Sequence, residues 1–299
     1  MFTGLASFSM KGLWQASLIA ATTLVLALLF PLFVWLSGAF VALVFLRKGF
    51  LPGLQVILIA GIGASLFTWF ATGSALVVLA PALLFWVPTA VISLVLRNTV
   101  VLANSFLVAA VLGFLIVIGM FLWHSDPSSV WLQAFDEMGL VADLPAQITV
   151  DPETVEGFLT EISRLMTVSL AGMVVLSALI SMLLARVWQA TLYNPGGFGK
   201  EFRLLHLGQV PALIAVLVAA LSMAVQNDIL LALFVVVLCV YLFQGLAVFH
   251  ALIVSRSMSK GWLFGLYILL VVLLPQMAVL LSTVGVSDTW LNWRQRFAK

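Results

Sequence analysis

Long unbroken apolar runs separated by short polar turns set the plan of this chain. Leu13 to Leu46 is too long for one membrane helix, and Pro31 near its middle divides it into stretches 13–30 and 32–46. Arg47-Lys48-Gly49 and Leu51-Pro52-Gly53 then form a polar turn. Further apolar stretches cover 54–71, 74–96 and 100–123, and after a polar break 165–188, 209–226, 229–254 and 262–284. These stretches predict an all-α, polytopic transmembrane helical bundle with about eight or nine spans, eight if 32–46 is re-entrant. A transmembrane barrel requires segments alternating apolar and polar positions, and these runs do not alternate.

The break from His124 to Arg164 is an acidic insertion within a single transmembrane domain covering 1–299. Ser125-Asp126-Pro127 and Asp151-Pro152-Glu153 each place a capping aspartate before a proline suited to a first helical position. Val130, Trp131, Ala134, Phe135 and Met138 follow the first start at helical spacing, and Val155, Phe158, Leu159, Ile162 and Leu165 follow the second. The expectation is two short amphipathic helices on the outer membrane surface, the second running into the next span. They form either a passive surface loop or a lid over an outward-facing cavity. In the loop 191–208, Asn194-Pro195-Gly196-Gly197-Phe198-Gly199 is a run of turn formers, and Lys200 to Leu207 is expected as a short interfacial helix.

Composition explains why lipid must be the solvent. Of 299 residues, 64% are hydrophobic and 8% charged, against about 25% charged in soluble domains. Mean hydropathy is +1.24. In lipid every backbone polar group needs an internal partner, which helices supply. The apolar run after Lys11 is longer than a signal-peptide core and reads as a first span retained in the chain. With the N-terminus in the cytoplasm of a bacterial inner membrane, Lys11, Arg47, Lys48, Arg97, Arg186, Lys200, Arg203, Arg256 and Lys260 fall inside, as the positive-inside rule requires. Most acids, Asp228 and Asp288 among them, then fall outside. Arg294, Arg296 and Lys299 also land outside, so either the tail is tolerated there or the span count is wrong by one.

The chemistry is sparse. On this division no Asp or Glu lies within a span, which argues against a carboxylate proton relay. Gln15, Asn104, Gln244, His250 and Gln276 interrupt apolar runs, either bonding a neighbouring helix or facing a ligand. Candidate substrate-binding residues are Trp69, His124, Arg164, Asn227, Gln244 and Gln276, all in the outer half or near the middle of the bundle. Arg164 stands three residues after Glu161, so a surface ion pair is the alternative to ligand binding. His250 has no second metal ligand at a suitable spacing, and neither a nucleotide loop nor a hydrolase motif is complete, so no metal site, cofactor or enzymatic activity is expected. Cys239, the single cysteine, reads as a small hydrophobe, and a net charge of +2 gives no reason to expect nucleic acid. Ala16 and Ala20 stand one turn apart on the first span, for close packing either within the bundle or with a partner membrane protein.

The helical array, the acidic insertion and the stretch from Asn194 to Arg203 together resemble the YybS-like family of bacterial membrane proteins. That family is similar in turn to the substrate-binding S components of energy-coupling-factor transporters, which dock on a coupling subunit through an Ala-x-x-x-Ala motif. Ala16-Ser17-Leu18-Ile19-Ala20 matches it, although the span count and the insertion depart from the pattern. The resemblance implies a non-enzymatic transport or substrate-binding subunit for a small molecule. A structural or assembly factor and a lipid-handling protein are the alternatives.

Overall fold

A computed structural model describes residues 2–140 and 151–297. Every regular element among them is a helix: α1 (Phe2–Ser9), α2 (Leu13–Ala27), α3 (Phe33–Lys48), α4 (Phe50–Thr72), α5 (Leu76–Thr99), α6 (Leu102–Trp123), α7 (Ser128–Glu137), α8 (Pro152–Tyr193), α9 (Gly197–Arg203), α10 (Gln209–Ala224), α11 (Asp228–Ser255), α12 (Gly261–Val272), α13 (Leu274–Leu291) and α14 (Trp293–Arg296). Five of these, α4, α5, α6, α8 and α11, are long and apolar enough to cross a membrane, and α2, α10 and α12 are shorter apolar helices. The protein is therefore an all-helical bundle of membrane character with broad lipid-compatible surfaces.

The long helices α8 and α11 form the spine. They meet where Arg164, three turns into α8, pairs with Asp228 at the start of α11 at 2.9 Å, and Gly172 then lies against Val235 and Cys239. Gly113 brings α6 against the same pair, facing Val175 and Val236. On the other side α3 runs beside α8. Phe40 packs at a tilt on Trp188, ring centroids 4.9 Å apart, and the Arg47 guanidinium lies over the Tyr193 ring at 4.1 Å. Helix α4 follows α3 with only Gly49 between them, whose φ of 94° reverses the chain in the left-handed region open to glycine. Arg97 at the end of α5 donates to the Leu46 carbonyl at 3.0 Å. These contacts gather Arg47, Arg97, Arg186, Arg203 and Arg256 at one end of the bundle, the basic end, with Asp126, Glu161 and Asp228 at the other.

Some expectations need correction. The stretch 262–284 is not one helix, because α12 ends at Val272 and α13 begins at Leu274, with Pro275 in its first turn. Proline lacks the N–H that would continue the ladder. Helix α13 runs on to Leu291 and returns the tail to the basic end, where Arg256 donates to the Phe297 carbonyl at 2.9 Å. Arg294 and Arg296 therefore lie with the other bases and not at the acidic end. Asp288, expected outside, is 2% exposed within α13, so the bundle does bury a carboxylate.

The second amphipathic helix runs into the next span, as expected. It forms the first turns of the 42-residue α8, burying Val155 and Leu159, with α7 packed against it. Part of the acidic insertion, 141–150, lies outside the described residues. The expected helix over Lys200 to Leu207 sits earlier, at α9, and its last residues form a non-helical approach to α10. Finally, Ala16 and Ala20 are 1% and 0% exposed in the face of α2 that packs on α3 and α4, and Ser37 Oγ donates to the Ala20 carbonyl at 2.8 Å. That face is filled from within the chain and is not open to a partner.

Candidate functional site

The six candidate binding residues do not meet in one cavity. Arg164 and Asn227 share an open cavity of about 590 Å³ at the acidic end with Ser125, Gln226 and Asp228. Arg164 and Asn227 are already engaged. Arg164 pairs with Asp228 at 2.9 Å and with Glu161 at 3.1 Å, so two carboxylates neutralise the cation an anionic ligand would need. The Asn227 side chain caps α11, accepting from the backbone N–H groups of Ile229 and Leu230 at 2.9 and 3.3 Å. His124 is exposed where α6 ends, and Gln276 is exposed in the first turn of α13. Trp69 is exposed on a shallow apolar groove between α4 and α5.

Gln244 has a structural place that its position in an apolar run suggested. It is fully buried. Its Oε1 accepts from Leu207 N–H at 2.9 Å, and its Nε2 donates to the Gly285 carbonyl at 2.6 Å. One amide thus holds the approach to α10 and the middle of α13 against α11. Nearby, Arg186 pairs with Glu201 at 2.8 Å, tying α8 to α9, and Arg294 pairs with Asp288 at 3.2 Å. Burial holds the Arg294 pKa below its usual value, and the Asp288 carboxylate offsets part of that fall. His250 bonds the Tyr267 hydroxyl at 2.9 Å and meets the Phe202 ring edge-on. These groups lock elements together.

The site that remains is apolar. Helices α2 and α3 are 15 and 16 residues long, and their connection through Pro31 turns back level with Met173 of α8. The turn, α5 and α8 surround a groove of about 310 Å³, lined by Leu28, Pro31, Trp35, Pro81, Phe85 and Met173 among others. That is at the lower end of the range for ligand pockets, about 300–1,000 Å³. Leu28 and Leu32 at the groove are exposed apolar residues, so it opens onto surface suited to lipid.

The groove has a polar edge. Trp35 Nε1 donates to Ser177 Oγ at 3.1 Å, and Ser181 Oγ donates to the Trp35 carbonyl at 3.1 Å. Deeper in, Trp86 Nε1 donates to Ser37 Oγ at 3.2 Å. These bonds fix the indole that walls the groove, and they satisfy its N–H. Sequence reasoning selected none of these residues, although Pro31 and the prolines within α5 marked the places where regular packing gives way.

Set against known proteins, the chain matches no family model, no curated protein and no solved structure.

Proposed function

We propose that the chain is a non-enzymatic protein of the bacterial inner membrane that binds an apolar or amphiphilic small molecule from within the bilayer, as a lipid-handling or substrate-binding subunit. The observation that carries this reading is the groove between the α2–α3 turn, α5 and α8. It is apolar, opens sideways, and offers one indole and one hydroxyl at its edge. A hydrocarbon chain fits that lining, and a polar solute does not. The cavity at the acidic end supports a polar ligand less well, because Arg164 and Asn227 already have partners. The resemblance to YybS-like proteins, and through them to S components, rests on the helical array, the acidic insertion and the stretch Asn194 to Arg203, and it is compatible with this reading. Docking through Ala16 and Ala20 is no longer part of it.

Labelling tests the groove. A phospholipid with a photoreactive acyl chain is expected to mark peptides containing 28–35 and 173–177 above the level of the exposed α4 surface around Leu58. Ala27→Phe, which fills the groove from its wall, is expected to lower that labelling severalfold at unchanged melting temperature. Equal labelling of groove and α4 surface, or of the variant and the parent, would remove the basis for the reading.

Orientation belongs to the same proposal. The basic end faces the cytoplasm, and with the tail returned there Arg294 and Arg296 join the other bases, while Arg164 stays at the acidic end in its ion pairs with Glu161 and Asp228. In a chain with Cys239 replaced by Ser, Lys200→Cys is expected to react with a membrane-impermeant maleimide only from the cytoplasmic side, and Glu153→Cys only from the periplasm. The reverse pattern would invert the topology.

A further inference from the structure

Helices α3, α5 and α8 run side by side in one direction, from the apolar groove to the basic end. There α3 stops at Lys48 and α5 at Thr99, and α8 carries Arg186 and Gln189 one turn apart beside them. Between the three helices lies a cavity of about 130 Å³, lined by Leu46, Leu96, Arg97, Val100, Arg186 and Gln189. Val100 caps α5 at φ 57°, in the left-handed region that a β-branched residue rarely adopts, and the chain enters α6 two residues later.

The polar side chains of this lining are left with donors and no acceptor. A guanidinium has five N–H groups in a planar fork. Arg97 uses one on the Leu46 carbonyl at 3.0 Å, which answers part of the negative end of α3. Its other N–H groups have no partner among the described residues. Arg164, Arg186 and Arg294 each pair with a carboxylate, whereas Arg97, Arg47 and Lys48 pair with none among the described residues. Arg186 is neutralised by Glu201 at 2.8 Å and donates to Gln189 Oε1, also at 2.8 Å. With its oxygen occupied, the Gln189 amide has only N–H left to offer. Gly49 leaves the Arg97 fork its room, since a Cβ there would stand 3.4 Å from the guanidinium carbon.

We propose that this cavity binds a phosphate group, with Arg97 and Gln189 as its donors. A guanidinium fork matches two phosphate oxygens at once. Arg47 and Lys48, exposed in the last turn of α3, add positive charge that no carboxylate offsets. The volume is well below the ~300 Å³ at which whole-ligand pockets begin, so the cavity takes a group and not a complete molecule. The rest of the ligand lies outside, where Val100 and Val101 are 73% and 48% exposed and apolar. A phospholipid meets both conditions, phosphate in the cavity and chains on the apolar rim. A soluble phosphate meets the first. Capping of α3 explains the Arg97 bond to Leu46, but neither the Gln189 donor nor the space beside it. The site is separate from the apolar groove, which lies toward the other end of the same three helices, and it stands whether or not that groove holds a ligand.

The test titrates the full chain, in a mild non-ionic detergent, with phosphatidylglycerol, phosphatidylcholine and inorganic phosphate. Melting temperature and adducts in native mass spectrometry are read together. Phosphatidylglycerol is expected to raise the melting temperature and to stay bound, more strongly than phosphatidylcholine. Arg97→Gln keeps a donor for the Leu46 carbonyl but loses the charge, and is expected to weaken binding about tenfold. Gln189→Leu leaves both the charge and the α3 cap in place, and is expected to weaken it severalfold. It decides the matter if Arg97→Gln folds poorly. Lys260→Gln, at an exposed position just before α12, is expected to change nothing. A response to inorganic phosphate that both site variants abolish, with none to phosphatidylglycerol, would assign the same site to a soluble phosphate. An equal loss in Lys260→Gln would reduce the effect to general attraction, and full binding by Arg97→Gln and Gln189→Leu would leave Arg97 as a cap on α3. Either result overturns the proposal, as does no response to any of the three probes.

Discussion

Replacing Arg294 by methionine is expected to cost about 3–5 kcal/mol of stability, the usual penalty for removing one partner of a buried ion pair. Asp288 is 2% exposed in the last turns of α13, and Arg294 is the cation beside it at 3.2 Å. The same guanidinium donates to the carbonyls of Arg203, at 2.8 Å, and Leu205. Methionine keeps much of the volume but leaves a buried carboxylate without its counter-charge and two carbonyls without a donor. Asp288→Asn combined with Arg294→Met is expected to recover part of the loss, because the uncompensated charge is gone. Thermal unfolding in detergent across the two single variants and the double variant measures the coupling. Additive losses would show that the pair contributes nothing specific and that the tail is held by other contacts.

Gly245→Ala is expected to loosen α13 from α11, at a cost near the top of the ~1–3 kcal/mol range for overpacking. A Cβ at Gly245 would fall on the Leu281 carbonyl, which is backbone and has no rotamer to escape into. Gly285 stands opposite, against the Tyr241 carbonyl and the Gly245 N–H, so two facing glycines let the main chains touch. Ser282 Oγ donates to the Leu238 carbonyl at 2.8 Å across the same contact. Parting the helices also strains the Gln244 bond to Gly285, which extends the effect to the approach to α10. Gly63→Ala on α4 is the control. Nothing lies within 4 Å of that position, and alanine's better helix propensity predicts an unchanged or slightly raised melting temperature. Equal melting of the two variants would mean that the α11–α13 contact is looser than its geometry indicates.

Hydropathy located the helices well where the ladder is continuous. The stretches 74–96, 100–123 and 229–254 correspond to α5, α6 and α11 within a few residues. It failed at 262–284 because Val271 to Leu274 are as apolar in an elbow as in a straight helix, and only Pro275 reported the broken ladder. One error then produced two others. Ending the helix at 284 placed Asp288 in an outer loop, and counting a full crossing carried Arg294 and Arg296 to the wrong end. The misplaced bases were the visible symptom.

The site was less legible, for a different reason. Residues were chosen there for polarity at depth, and that criterion found Gln244, a helix-bonding group, together with groups scattered over the surface. The groove is made of Leu, Pro, Phe and Met, types that occur throughout the chain. Its two polar markers, Trp35 and Ser177, stand 142 positions apart and acquire meaning only once folding brings them together.

That separation governs how the protein is made. Helices α2 and α3 are each shorter than the ~20 residues of an independent span. Trp35 leaves the ribosome with no acceptor for its indole, and Ser177 is synthesised roughly 7–30 s later at about 5–20 residues per second. Ser37 likewise precedes Trp86, whose indole it receives. During that interval the first two helices have neither the length to hold themselves across the bilayer nor the neighbours to bury their polar groups. They must wait at the membrane interface, or in the care of the insertion machinery, until α8 arrives. Helices α2 and α3 are thus made before α8 and seated only with it, and the bundle closes in an order its numbering does not reveal.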